Sequence, residues 1–397
     1  MTTIWKRKVL GGGVRYWICV FVALVTLPNV EGAVSEWVET IRSVGPEGAG
    51  NVAAGEAWGR LSESDGDVIP EILAGMDGAN PLAANYLRSA VEVIASRGGI
   101  STEAVRRFLE DTSQGVRARE LAFLLIERVD ENAAAAMVPG FASDPSTVLR
   151  RKAVALLMEG ATEAREAGDD AEALAGYEAA LDAARDIDQI QEIATAMEEL
   201  GEPVDLPERF GFLMYWNVVG PFDNRDKVGF DAVYGPEEGV DLTATYEGKE
   251  ESEVVWEEHE TADSAGLVDI NKVYGMEKGA VAYAYTEFES LEAQDVELRL
   301  GCKNAWKVWV NGEFIFGRDE YHRGMRIDQY RMPVRLEAGT NSILIKVCQD
   351  EQDRDWTVQW QFQMRVCDET GKAVHSTRRR ATPEPEEKRR DREGVSN

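Results

Sequence analysis

Lys307-Val308-Trp309-Val310-Asn311-Gly312-Glu313-Phe314-Ile315-Phe316 is the stretch on which the fold turns. Two short runs of β-branched and aromatic residues flank an Asn-Gly dipeptide. Both positions of a type I′ turn need positive φ, which Asn and Gly adopt most easily, so the stretch reads as a tight β-hairpin. Trp309 alternates with Val308 and Val310 and therefore goes to the opposite face of its sheet. Outward from this hairpin, runs of the same kind occupy residues 212–219, 254–259, 281–289, 296–301, 332–336, 342–347 and 357–366. Gly- and Asn-bearing turns such as Ala338-Gly339-Thr340-Asn341 separate them. Eight such segments, with the hairpin counted as one, and long loops predict an antiparallel jelly-roll β-sandwich over residues 208–377.

The chain upstream has a different period. From about Glu36 to Leu200, Ala, Glu, Leu and Arg dominate and apolar residues recur every 3.6 positions, which predicts helices. Val116-Arg117-Ala118-Arg119-Glu120-Leu121-Ala122-Phe123-Leu124-Leu125 aligns with Val148-Leu149-Arg150-Arg151-Lys152-Ala153-Val154-Ala155-Leu156-Leu157. Asp144-Pro145 before the second copy reads as an N-cap followed by proline at the first helical position. One helix pair cannot bury such a stripe alone, so a stacked solenoid is expected over residues 34–202. The fold class is thus multidomain α plus all-β. Two prolines in Glu202-Pro203-Val204-Asp205-Leu206-Pro207 block helix continuation, so residues 203–207 read as a linker between independently folding parts. Residues 378–397, opening on Arg378-Arg379-Arg380, are charged and almost free of apolar side chains, and are expected to be disordered.

At the N-terminus, Lys6, Arg7, Lys8 and Arg15 precede an apolar core at residues 16–27 and the break at Pro28. Residues 1–33 read as an export signal cleaved before Ala33. The protein is then periplasmic or secreted, and an uncleaved signal would instead anchor it in a membrane. The 72 acidic residues against 43 basic ones give a net charge of −29. That excess argues against nucleic acid as a partner, because phosphate contacts need cations. It equally gives no reason to expect membrane contact beyond the signal. The basic run Arg150-Arg151-Lys152 reads as the solvated face of its helix. Outside the signal, Cys302, Cys348 and Cys367 leave two readings open, one bridge with a free thiol or three unpaired thiols.

The repeated helical stretch resembles short bacterial HEAT-type repeats, with an Asp-Pro start, an Arg-rich polar face and a Val/Leu seam. Gly168-Asp169-Asp170-Ala171-Glu172-Ala173-Leu174-Ala175-Gly176-Tyr177 resembles half of a tetratricopeptide repeat. The hairpin at Asn311-Gly312, the run Leu336-Glu337-Ala338-Gly339-Thr340-Asn341-Ser342-Ile343-Leu344-Ile345-Lys346-Val347, and Trp356 resemble the galactose-binding-like jelly roll. That domain is attached to glycoside hydrolases as a sugar-binding module. Trp216-Asn217-Val218-Val219-Gly220-Pro221-Phe222-Asp223-Asn224 is similar to the start of such domains in exported bacterial multidomain proteins of unassigned role. The resemblance implies carbohydrate binding. A related protective-antigen-type sandwich carries paired aspartates where this chain has Cys302-Lys303-Asn304-Ala305.

No HExxH, GxSxG or phosphate-cradling glycine loop is present, and there are three histidines, His259, His322 and His375. The sequence therefore predicts no catalytic residues, no metal and no cofactor. Candidate ligand-binding residues lie in three loops of the sandwich. Asn304 stands in the first. Arg318, Tyr321, His322 and Arg323 stand in the second. Gln349 opens the third, acidic loop, which lacks the spaced pattern of a calcium site. An aromatic face and convergent donors suit a sugar, and Tyr321 and Arg323 supply both at an exposed loop. Trp306 and Trp356 are expected in the core. The reading is an extracytoplasmic binding and scaffolding protein, its sandwich taking a glycan or protein ligand and its helices a protein partner. The alternative is a purely structural assembly protein. A third class is a carboxylate-dependent glycoside hydrolase or its accessory subunit.

Overall fold

The computed structural model describes residues 30–384. The part of the expected export signal before Val30 and the charged tail after Glu384 lie outside the described residues. The chain divides into two compact units, residues 1–136 and 137–397.

The first unit is helical: α1 (Val30–Arg42), α2 (Asn51–Ser62), α3 (Ile69–Ala74), α4 (Pro81–Ser96), α5 (Thr102–Glu110), α6 (Val116–Val129) and α7 (Glu131–Met137), which ends at the boundary. Local chemistry sets the ends. Asn80 Oδ1 accepts from the amides of Leu82 and Ala83 at 3.0 Å, and Pro81 stands at the first turn of α4. Ala118, Leu121, Ala122, Leu125 and Ile126 form the buried stripe of α6.

The second unit begins with helices α8 (Thr147–Glu166), α9 (Asp170–Ala183), α10 (Ile187–Glu199) and α11 (Leu206–Phe210). The start of α8 differs from expectation. Ser146 is the N-cap, accepting from the Leu149 amide, while Asp144 holds the Ser146 amide one step earlier. Arg150 is buried rather than solvated, with its Nε donating to the Asp144 carbonyl at 2.8 Å.

Residues 203–207 are also not a free linker. Asp205 caps α11 through the Glu208 amide at 2.9 Å, and Pro207 sits in its first turn. Val204 and Leu206 pack onto a core that joins Tyr177, Ile190, Ile193 and Met197 of the helices to Phe210, Phe212 and Met214 at the sandwich entry. The prolines open a short helix whose apolar side is covered, so the compact division falls at residue 136 instead.

The strands are β1 (Tyr215–Asp223), β2 (Thr245–Glu247), β3 (Glu253–Val255), β4 (Glu257–Glu260), β5 (Val268–Asp269), β6 (Ala280–Ser290), β7 (Gln294–Cys302), β8 (Ala305–Val310), β9 (Glu313–Arg318), β10 (Tyr330–Leu336), β11 (Gly339–Gln349) and β12 (Gln361–Cys367). An antiparallel six-stranded sheet has the order β4-β1-β6-β11-β8-β9, and a four-stranded sheet has the order β10-β7-β12-β5. Trp216, Trp306, Ile345, Leu298, Leu300 and Phe362 belong to the core between them. Part of the other face of the larger sheet is covered too, by Tyr234 and Tyr246 over Phe222, Val281, Tyr283 and Trp309. Two covered faces explain why β6, β8 and β11 read as almost unbroken apolar runs. Asn311 (φ 52°) and Gly312 (φ 79°) form the expected hairpin turn.

Candidate functional site

The three loops singled out by sequence meet at one end of the sandwich, but mostly as interior structure. Asn304, 1% exposed, donates Nδ2 to Gln349 Oε1 and to the Gln359 carbonyl, both at 3.1 Å. Gln349 is fully buried and donates to the Thr357 carbonyl at 3.0 Å. Asn224 Nδ2 bridges the Gln349 carbonyl at 2.9 Å and the Tyr321 hydroxyl at 3.2 Å. Asn304 and Gln349 therefore hold loops together, since both lobes of each amide are spent within the protein.

Tyr321 is not the exposed stacking residue expected. It is half-buried against the aromatic cluster on the outer sheet face, and burial raises its phenol pKa. Lys227 Nζ lies 4.7 Å from its ring centroid, covering the face a sugar would use. His322 Nε2 meets Asp350 Oδ1 at 2.6 Å with both side chains under 5% exposed. Arg318 and Arg323 remain exposed. Arg318 lies over the Phe316 ring, and Arg323 pairs with Glu320 at 3.5 Å. Trp306 is in the core as expected. Trp356 is not: it sits in a short 3-10 turn, 57% exposed, edge-on to His322 at 5.6 Å. Trp360 fills the core position instead.

A cavity lies elsewhere, a cleft of about 670 Å³ beside β1, β4 and β6. Its wall follows from strand register. Tyr215 stands opposite Glu260, and Asn217 stands opposite both Glu258 and Tyr285. Directly opposed residues share a face, as do residues two apart along a strand, so Glu287 and Glu289 continue the row. Tyr285 donates its hydroxyl to Glu287 Oε1 at 3.1 Å, and burial, then the Glu287 carboxylate, pushes its phenol up to about 12.

The far wall is formed by residues 374–380, and here the expectation of disorder fails for residues 378–384. Tyr215 donates its hydroxyl to the Ala381 carbonyl at 2.6 Å, and the Arg380 guanidinium lies 4.9 Å from the Tyr215 ring centroid. Arg379 meets Glu208 at 3.5 Å, Thr382 donates to Asp205 at 3.0 Å, and the Glu289 amide donates to Ser376. An arginine-rich strand of chain docks because the surface it meets is acidic and aromatic.

The cleft residues Tyr215, Asn217, Glu258, Tyr285 and Glu287 went unselected in the sequence. A signal was present: the run Glu257-Glu258-His259-Glu260 is polar throughout, and Glu287 and Glu289 alternate along β6.

Cys302, Cys348 and Cys367 are all buried and unpaired, and burial raises each thiol's pKa, so the three-thiol reading is the one observed. Among the described residues, no three His, Cys, Asp or Glu side chains are placed to hold a metal ion. No helix among them is long and apolar enough to cross a membrane.

No protein-family model matches the chain, and no curated protein does. Among solved structures, a family 35 carbohydrate-binding module from Clostridium thermocellum is similar at 16% identity over 22% of this chain and 78% of that one, with a TM-score of 0.16. The β-glucosidase of Kluyveromyces marxianus in complex with glucose is similar at 13% identity over 80% of this chain and 38% of that one, with a TM-score of 0.26. An FMN-binding β-glucuronidase from Facaelibacterium prausnitzii matches at 13% identity over 38% of this chain and 21% of its own, with a TM-score of 0.22. The chain thus spans well under half the length of either glycosidase. TM-scores this low leave ligand and mechanism to the chain's own geometry.

Proposed function

We propose that this is an exported, non-catalytic binding protein whose sandwich holds a saccharide in the cleft beside β1, β4 and β6. The observation that supports this reading is the row formed by Asn217, Glu258 and Glu287, brought together by strand register along the cleft. Carboxylates and an amide accept from and donate to sugar hydroxyl groups. The helices, read as HEAT-type pairs, take a protein partner. Val52, Val116, Leu124 and Val129 leave apolar surface exposed on the first unit.

The test is a glycan panel, spanning neutral, acidic and amino sugars, against residues 34–397. Glu258→Gln and Glu287→Gln should each weaken an identified glycan about tenfold. Hydrogen bonds to a charged group contribute roughly 1.5–3 kcal/mol, and 1.4 kcal/mol is a factor of ten. Unchanged affinity in both variants would remove the cleft from the reading, and product release from the bound glycan would make the protein an enzyme.

The loop end favours the second reading, a structural assembly protein without a small ligand. Asn304, Gln349 and Tyr321 are satisfied or packed internally there, which leaves that end of the sandwich filled.

A further inference from the structure

Helix α9 ends at Ala183, and its last carbonyls draw two arginines. Arg185 donates Nη1 to the carbonyls of Asp182 and Ala184 at 2.9 and 2.7 Å. Arg209, from α11, donates Nη2 to the carbonyls of Leu181 and Ala184. A helix C-terminus carries only about half a negative charge. Two guanidiniums therefore overcompensate it.

Asp182 and Asp368 attract Arg185, and Asp182 attracts Arg209, from beyond ion-pair contact. Among the described residues, no carboxylate oxygen lies within 4 Å of Arg185, Arg209 or Lys372. Arg185 Nε is buried with no hydrogen-bond partner. Burial, and then the neighbouring charges of Arg150 and Arg209, holds Arg185 down at about 10. Burial likewise lowers Arg209.

Arg185, Arg209, Lys372 and His375 line a cavity of about 220 Å³, whose one acidic lining residue, Glu208, faces Arg379. That volume is several times a water molecule's share of liquid, roughly 30 Å³. It has room for a small polyatomic anion with its remaining waters. Guanidinium groups offer parallel donors that match the oxygens of such anions, and Lys372 adds a mobile point charge at the rim.

We propose that this cavity is a binding site for a small oxyanion group, a carboxylate, phosphate or sulfate. The bound anion supplies the direct ionic partner that Asp182, Asp368 and Glu208 do not. His375 lines both this cavity and the larger cleft, so the anionic site opens beside the saccharide site without being part of it.

Calorimetric titration of the full chain with inorganic phosphate, sulfate and acetate, at constant ionic strength set by chloride, tests the proposal. One saturable site is expected for at least one anion. Acetate alone binding identifies a carboxylate site, whereas phosphate or sulfate binding identifies a tetrahedral-anion site. Arg185→Gln should weaken binding at least about tenfold, the loss of one charge-assisted hydrogen bond. Lys372→Gln alters an exposed side chain, so it should weaken binding while leaving the anion-free melting temperature unchanged. The proposal is overturned if none of the three anions gives saturable heat. It is equally overturned if Lys372→Gln and Arg185→Lys both bind as the unaltered chain does, because the arginines would then serve only as helix caps.

Discussion

Asp328→Ala should be among the most damaging single substitutions in the second unit. Asp328 Oδ2 accepts from Arg299 Nη1 at 2.7 Å and from Arg365 Nη2 at 2.6 Å, and its Oδ1 accepts from Arg365 Nε at 2.7 Å. The three side chains are 5%, 3% and 1% exposed, so water does not screen them. Arg365 also reaches the carbonyls of Phe210 and Gly371 at 3.1 Å, tying α11 to the four-stranded sheet. Removing the carboxylate leaves Arg365 a buried cation with no anionic partner, while Arg299 keeps Glu297 at 2.7 Å. Breaking a buried pair in this way costs about 3–5 kcal/mol. At about 2–4 °C per kcal/mol for a unit of this size, the melting temperature should fall by roughly 6–20 °C.

Acidity gives the same site a second signature. Burial pushes the Asp328 carboxyl up, but the hydrogen bonds and charges of Arg365 and Arg299 outweigh it and hold the group below its ordinary value of 3.8. A carboxyl depressed on folding contributes its stability above the unfolded pKa and loses it as pH falls through the folded one. The gap between the parent chain and Asp328→Ala should therefore narrow on acidification below about pH 4. Calorimetric melts of both chains between pH 3 and 7 measure this. A loss under about 1 kcal/mol at neutral pH, or a gap that does not change with acid, would refute the reasoning.

Residues 137–384 expressed alone should melt cooperatively, whereas residues 208–377 should not, since they lack the helices that cover Phe210, Phe212 and Met214; equal melts for the two fragments would contradict this. Trp360→Ala should cost about 3–5 kcal/mol because the ring is fully buried, while Trp356→Ala should leave stability within about 0.5 kcal/mol, both read from urea titrations. Mass spectrometry of protein recovered from its host should find a new N-terminus near Ala33, and a full-length chain in the soluble cytosol would contradict export.

The strands were legible because their signals are local. Period-2 alternation and the Asn311-Gly312 turn depend only on neighbouring residues, and the main strands fall within a few residues of where the sequence places them. Even the opposite facing of Trp309 follows from alternation alone. What covers each face is not local, and there tertiary structure decided. Val204 and Leu206 belong to a core only because α9 and α10 fold against them. Tyr321 and Trp356 both stand in polar loops, yet one is packed beneath Lys227 and the other is open to solvent. The cleft needs Asn217, Glu258 and Tyr285 opposite one another on strands far apart in the chain. Arg380 seals its edge by lying on Tyr215, 165 positions earlier in sequence. Backbone preference acts over a few residues, whereas burial and charge pairing act between whichever surfaces the folded chain brings together.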